Sequence, residues 1–490
     1  MPSTTEYLND ARRPAVAGRA WWLPALAALF LLGHPAFAQE GLRSSLAGEQ
    51  AAEQQKNAQA NQYYNLEMGD LKLRFQSSLQ VEANDNVNLS DNDRVADASI
   101  KPELDMTALW PVTENNTLAV NLGGGYEEYL KTKSLDNFFF NPNSSISFNI
   151  YAGDFLINLH TSFAYSEQQY QSVDVSSNGN FVYFDDLTGI SVTWDLDKLK
   201  LILDYDHEIY ESPTPGFSYL NRNSELVSFR AGVELLPETF VGLELGGSLD
   251  NYQNQPNYKT NGITNDVPVI YVGATNPPPT VSPTVENQPI GNFVGNQQSV
   301  NFGPYIQGAL SKHLQVEASA GYTIYFTGQS SFNPYPGQIV SYTVDVTSNG
   351  PPYQVVTNRA SASSTLTAIY ADLTLTHILN DRVRYTLSTG HQIQNGLYSG
   401  TLDLYYLYLN PTFLFIRNVT LSTPLNFNYA ERGGTAGENY IYVDAGIEAS
   451  YQLNRKLSLN GGYHFRDKES DVSANDFVQN QLVLGLHYSF

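Results

Sequence analysis

The sequence predicts an all-β fold, a closed antiparallel transmembrane barrel of about 18 strands (range 16–18) behind a short N-terminal segment. Three observations predict it. Apolar and polar residues alternate with a period of two from Asp70 to the end of the chain. The connections alternate between short and long. An export signal opens the chain, yet no later run of 18 apolar residues could form a membrane helix.

Composition narrows the field first. The 490 residues include no cysteine, only 15% are charged, the net charge is -23, and Tyr (33) and Phe (24) are abundant. That profile does not suit a cytosolic α/β enzyme and does suit a large β protein with polar loops. A hydrophobic share of 42% is too high for an unfolded acidic chain. Without cysteine, no disulfide framework holds the fold.

Residues 1–38 read as a signal peptide. Arg12, Arg13 and Arg19 precede the apolar run Ala20–Leu32, and Ala36-Phe37-Ala38 forms a small-residue cleavage site. Its removal leaves 23 basic against 47 acidic residues, a net charge of -24. Residues 39–69, rich in Ala, Gln and Glu, read as a periplasmic extension, either a short polar helix or a tether. They are too few for the plug domain of an energy-coupled transporter.

From residue 70 to 490 the pattern is that of the barrel. Leu71, Leu73, Phe75, Leu79 and Val81 share one parity; Lys72, Arg74, Gln76, Gln80 and Glu82 share the other. A strand with one greasy and one wet face has this period. It recurs through Phe155–Tyr165, Leu199–Tyr205, Val227–Leu235, Val383–Leu387, Ile441–Ala449 and Leu457–Phe465. Short turns fall near Pro111–Asn116, Gly153–Asp154, Asp195–Asp197, Pro237–Glu238, Ser311–His313, Asn380–Asp381, Arg417–Asn418 and Asn454–Arg455. Longer loops fall near 84–97, 131–142, 167–184, 211–222, 251–297, 328–362, 394–400, 430–439 and 467–476. Eight turns and nine loops join eighteen strands, with the short turns periplasmic and the long loops external. The proline-rich loops 251–297 and 328–362 are exceptional; one folds inward as a constriction, or the stretch is an extended spacer, and both readings stand.

The last strand puts Leu482, Leu484, Leu486, Tyr488 and Phe490 on one parity. Gly485, Tyr488 and the terminal Phe490 resemble the β-signal read by barrel-assembly machinery, from which Val483 departs. The segment Val81-Glu82-Ala83-Asn84-Asp85-Asn86-Val87-Asn88-Leu89 resembles the opening strand and Asp-Asn-rich turn of the β-barrel porin-2 family, and Tyr126-Glu127-Glu128-Tyr129 is similar in style. The resemblance implies an outer-membrane barrel, in some members encoded near exopolysaccharide export systems. It carries over no substrate and no catalytic residue.

The residues themselves suggest little chemistry. Glycine beside aromatics (Gly124-Gly125-Tyr126, Gly461-Gly462-Tyr463, Gly321-Tyr322) marks strand curvature, with the aromatic covering the gap. Asp85, Asp91, Asp93 and Asp97 offer oxygen ligands, but Asp91-Asn92-Asp93-Arg94-Val95 breaks the calcium-loop series and reads as a solvated loop. His160 and Ser162 face the lumen by parity, the wrong side for a phospholipid hydrolase; Asp206 and His207 face opposite ways. Trp110, Tyr129, Tyr151, Tyr165, Trp194, Tyr385 and Tyr429 read as interfacial girdles, or alternatively as a sugar track, and the parity of Tyr405, Tyr406 and Tyr408 is open.

Candidate pore-lining residues are Lys72, Arg74, Glu103, Asp105, Lys198, Lys200, Asp204, Arg230 and Arg384. The wider inward set adds Lys101, Arg382 and Lys456 to the bases and Glu82, Asp206, Glu234, Glu317, Asp444 and Glu448 to the acids, and the two signs nearly balance. The expected function is a non-enzymatic, porin-like channel for small polar solutes or sugars in a Gram-negative outer membrane, with no catalytic, cofactor or metal site. The alternatives are a component associated with exopolysaccharide export and an outer-membrane hydrolase. Expected partners are outer-membrane lipid and lipopolysaccharide, the assembly machinery and small solutes or saccharides, but not nucleic acid.

Overall fold

The computed structural model describes residues 64–167, 181–214, 217–253, 294–328, 330–332, 341–343, 354–356, 359–361, 364–396, 401–416, 418–433 and 437–490. The signal peptide, most of the 39–69 extension and most of loops 251–297 and 328–362 lie outside these residues.

Alternation of the kind just described lets a strand keep one face in hydrocarbon while its neighbours satisfy its backbone, provided the sheet has no edge. Eighteen strands do this. They are β1 (Leu71–Asn84), β2 (Asp97–Thr113), β3 (Asn116–Tyr129), β4 (Asn137–Ala152), β5 (Phe155–Glu167) and β6 (Val182–Leu196). Next come β7 (Leu199–Glu211), β8 (Arg222–Leu236), β9 (Thr239–Tyr252), β10 (Gln297–Ser311), β11 (Leu314–Thr327) and β12 (Ser364–Asn380). The circuit ends with β13 (Val383–Asn395), β14 (Thr401–Ile416), β15 (Val419–Ser422 and Leu425–Arg432), β16 (Glu438–Gln452), β17 (Leu457–Ser470) and β18 (Phe477–Ser489).

Every neighbouring pair is antiparallel, and β1 closes on β18 from Gln76↔Ser489 to Asn84↔Gln481. The C-terminal Phe490 donates its backbone N–H to Phe75 O at 3.2 Å, completing the seam. A three-residue strand, Leu66–Met68, folds back on Leu71–Leu73 where β1 overhangs the seam. Among the described residues no helix is long and apolar enough to cross a membrane.

The eight short turns all fall at one end and the loops at the other. Four of the turns carry a left-handed residue, Gly153 (φ 63°), Asp197 (φ 62°), Glu238 (φ 62°) and Asn418 (φ 71°), the conformation that reverses twisted strands in the fewest residues. Prolines inside strands coincide with gaps in the ladders, since proline has no N–H to donate. Pro102 sits where β2–β3 pairing lapses, and a Cβ on Gly125 would come within 2.1 Å of its carbonyl. Pro304 sits in the β10–β11 gap, where Gly321 would meet Phe302 O at 2.1 Å. β15 breaks at Thr423–Pro424 for the same reason. Curvature thus explains the glycines near Gly125 and Gly321. It does not explain Gly461 and Gly462, whose nearest would-be contacts are an ordinary 3.4 and 3.5 Å.

The outward parity is apolar. Leu243 is 66% exposed beside the inward-facing Glu244, and Leu484 is 57% exposed on β18. Leaving a leucine in water forgoes roughly 1.5–3 kcal/mol. Repeated round the whole circumference, that cost is avoided only if hydrocarbon wets the belt.

Candidate functional site: the inner wall

The inner face is where polar side chains gather, and the strand registers decide which of them meet. Lys72 and Arg74 on β1, Glu103 and Asp105 on β2, Lys200 and Asp204 on β7, Arg230 on β8 and Arg384 on β13 all have inward parity. Lys198 does not line the wall: it occupies the β6–β7 turn, exposed. Arg382 and Lys456 are likewise in turns. The structure adds inward bases that parity reading missed, Arg222, Arg432, Arg466 and Lys468, and more inward acids, among them Glu208, Glu244, Asp250, Asp372 and Glu438. Carboxylates therefore outnumber Lys and Arg on the inner face, and the expected balance of signs is overturned. Most of the missed residues lie close to the loop-side strand ends, where alternation blends into loop sequence, while Glu244 and Asp372 lie at mid-strand; a signal existed in the even parity of Asn426, Asn428 and Arg432.

Several contacts on this wall pass across a glycine. His160 (β5), Gly189 (β6) and Asp206 (β7) are direct register neighbours, and His160 Nε2 lies 2.7 Å from Asp206 Oδ1. A Cβ on Gly189 would stand 2.0 Å from that oxygen, so only glycine leaves the passage open. Asp372, Gly390 and Tyr406 repeat the device across β12–β14, with the tyrosine hydroxyl donating to the carboxylate. Tyr370 on β12 reaches Glu244 on β9 at 2.8 Å, past Gly321 of β11 and Gly303 of β10. Asn141 similarly donates to Glu103, beside Gly123.

These contacts bear on the hydrolase reading. His160 and Ser162 do share the inner face, but Nδ1 of His160 is 2.8 Å from Asn158 Oδ1 while Nε2 is held by Asp206. Neither ring nitrogen is available to activate Ser162. The loop carboxylates are similarly engaged: Asp91 pairs with Arg94 at 3.2 Å, Asp85 accepts from Asn480 at 2.6 and 2.7 Å, and Asp97 accepts from the Lys131 and Thr132 amides. Among the described residues no group of three His, Asp or Glu is arranged to hold a metal ion. On the rim, outside the strands, Lys133 donates to Glu128 at 2.7 Å, which holds the ammonium above the usual lysine pKa.

The inner wall is not uniform along its axis. The largest side chains with under 2% exposure are Tyr129, Tyr325, Tyr370, Tyr440, Phe181, Lys468, Leu89, Leu402, Gln297, Gln479 and Glu438. All lie in the loop-side part of the barrel. Tyr129 is among them, so it faces inward and is no girdle residue. Trp110 and Trp194 face outward near the turn end, and Tyr165, Tyr385 and Tyr429 share the outward parity. Tyr151 shares the inward parity of Ser147 and Asn149, so it too is no girdle residue. Tyr406 and Tyr408 face inward and Tyr405 outward, which settles the open parity of β14.

Buried charges at the loop end come in sets. Glu438 lies 2.7 Å from Arg432 and 3.5 Å from Lys468, whose ammonium stands 4.1 Å over the Tyr440 ring. Arg222 pairs with Glu208 at 3.1 Å and stacks 4.3 Å over Tyr210; at mid-strand, away from the loops, Arg230 pairs with Glu244 at 3.2 Å. At the turn end, by contrast, Lys72, Arg74, Lys200, Glu234, Arg384 and Glu448 are all half-exposed. On β18, Gly485 faces inward while Tyr488 and Phe490 face outward, their rings packed edge to face at 5.3 Å.

The profile of the family described as putative beta-barrel porin 2 matches residues 383–490, which form the last six strands. The segment Val81–Leu89, which carries the resemblance noted in the sequence, lies outside that match. No curated protein matches the chain. Among solved structures, Pseudomonas aeruginosa OpdK crystallised with vanillate is 8% identical at a TM-score of 0.41, covering 85% of this chain and 99% of its own. Acinetobacter baumannii OccAB3 is 9% identical at 0.42, covering 86% and 100%. The Pseudomonas aeruginosa ferric enterobactin receptor PfeA is 11% identical at 0.42, covering 85% and 80%. The closed 18-strand barrel and its apolar belt identify an outer-membrane β-barrel, and its last six strands are similar to the porin-2 family profile. The turn end is therefore periplasmic and the loop end external.

Proposed function

We propose that this barrel is a non-enzymatic channel for small polar solutes, with cations favoured over anions. One observation carries the reading: below the outer mouth the inner face is lined mainly by polar side chains, from Lys72 and Arg74 at the periplasmic end to His160, Asp204 and Asp206 farther along the wall. An interior filled with structure alone would be expected to be apolar, because each polar group buried without a partner costs about 1–3 kcal/mol. A barrel of this strand number is wide enough for an aqueous lumen. The sign preference follows from the inward carboxylates outnumbering Lys and Arg, and many of them are satisfied by neutral donors. Asp372 has a tyrosine, and Glu103 an asparagine and a serine. Acidic linings raise the local concentration of cations.

Reconstitution in a planar bilayer tests this. The account expects discrete conductance steps, and a zero-current potential in a potassium chloride gradient whose sign shows potassium crossing faster than chloride. If neither the native chain nor a form with its outer end opened gives steps, the channel reading fails. A chloride preference would leave the channel and overturn its selectivity.

A further inference from the structure

An apolar cluster lies inside the external end of the barrel. It joins Tyr183 of β6 and Tyr210 of β7 to Leu402 and Leu404 of β14, Tyr440 and Tyr442 of β16, and Phe477 of β18. In a closed ring of eighteen strands β7 and β16 are nine apart in either direction, so they stand on opposite walls. A single packed cluster containing both crosses the lumen.

Two loops contribute to it. From the first (residues 85–96) comes Leu89, 1% exposed; from the fourth (residues 212–221) come Tyr219 and Leu220, with Phe217 stacked on Phe181 at 4.6 Å. Both loops are tied down. Asn86 donates to Val478 O and Ser90 O at 2.8 Å each and accepts at its own carbonyl from Gln479 at 2.9 Å. In the fourth loop, the Ser212 amide donates to Asn221 Oδ1 at 2.9 Å and Thr214 Oγ1 accepts from the Val182 amide at 2.9 Å. Leu89 also has a left-handed backbone (φ 49°), a conformation that costs a side-chain-bearing residue energy and persists only where its surroundings impose it. The strain is borne where a leucine is turned inward into the cluster.

We infer that the outer mouth is shut by this apolar plug, to which the first and fourth loops contribute, so that the polar wall is reached from the periplasm and conduction requires the two loops to lift. The inference rests on the channel reading. A dry, apolar constriction blocks ions without a charged gate, because water does not stably fill it. Phe181, at the end of the third loop, and Val294, at the end of residues 251–297, are packed into the same cluster.

The test compares single-channel records of the native chain with two altered forms: Leu89→Ser alone, and Leu89→Ser with Phe217, Tyr219 and Leu220 replaced by serine. Heat-modifiable gel migration establishes that each form is a closed barrel. The native chain should rest closed with brief openings. The single substitution should raise the open fraction by about tenfold and the combined form by on the order of 100-fold, as expected for successive loss of buried apolar side chains. A native chain that rests open, or altered forms with its open fraction, would overturn the plug and leave the channel standing. Silence from every form would sink both the plug and the channel.

Discussion

The two ends of the inner wall use the same residue types for different ends. At the outer mouth, Arg432, Glu438 and Lys468 are sealed from solvent among tyrosines. At the periplasmic end, Lys72, Arg74 and Glu448 remain half-exposed. A charge in the first setting is held by its partners and its loss is structural. In the second, water solvates it, and under the proposed channel function its loss should be felt in selectivity. Burial, not residue type, separates structure from function on this wall.

That contrast can be broken by substitution, with the largest effect expected at the mouth. Glu438→Gln leaves Arg432 and Lys468 buried without their carboxylate, which should destabilise the barrel by about 4 kcal/mol in a urea titration. His160→Leu strands the buried Asp206 carboxylate and should cost about 3 kcal/mol in the same titration. A near-neutral result for either would mean that water reaches these groups and that the wall is looser than its packing suggests.

Farther from the mouth the readout changes from stability to selectivity. Glu103→Gln removes one charge from the half-exposed lining. At about 10 Å in water a unit charge contributes about 0.4 kcal/mol to each ion with opposite sign, so the cation-to-anion permeability ratio should fall roughly fourfold. Lys72→Gln should raise that ratio slightly while shifting stability by no more than about 0.5 kcal/mol. If the mouth substitutions changed selectivity and the periplasmic ones stability, the contrast would be inverted.

The sequence exposes the barrel well because the lipid-facing side has only one requirement, apolarity at every second residue, and that leaves a local trace. The turn positions and the count of eighteen strands follow from that trace, and the strand registers agree with it. The mouth left little trace. Leu89 reads as part of an Asn-rich loop, and Tyr129 as one more strand-end aromatic, until the loop is seen to carry Leu89 inward and the register to place Tyr129 on the inner face. The mixed lining was misjudged for a related reason. Lys198, Arg382 and Lys456 satisfy parity on paper but sit in turns, whereas Arg432 and Glu438 flank a loop and face each other across it. The glycine passages, such as Gly189 between His160 and Asp206, require register, which no single strand reveals.

The most direct measurement exploits the absence of cysteine. Single cysteines at successive positions from Leu73 to Asn84 on β1, in native outer membranes open on both sides, would be titrated with a small water-soluble thiol reagent. The account predicts fast reaction at even positions and slow reaction at odd ones, with the even series fading toward residues 82 and 84, where the wall is packed. Equal reactivity on both parities would contradict a wet interior inside a greasy wall. An even series that stayed fast up to residue 84 would contradict the closed mouth.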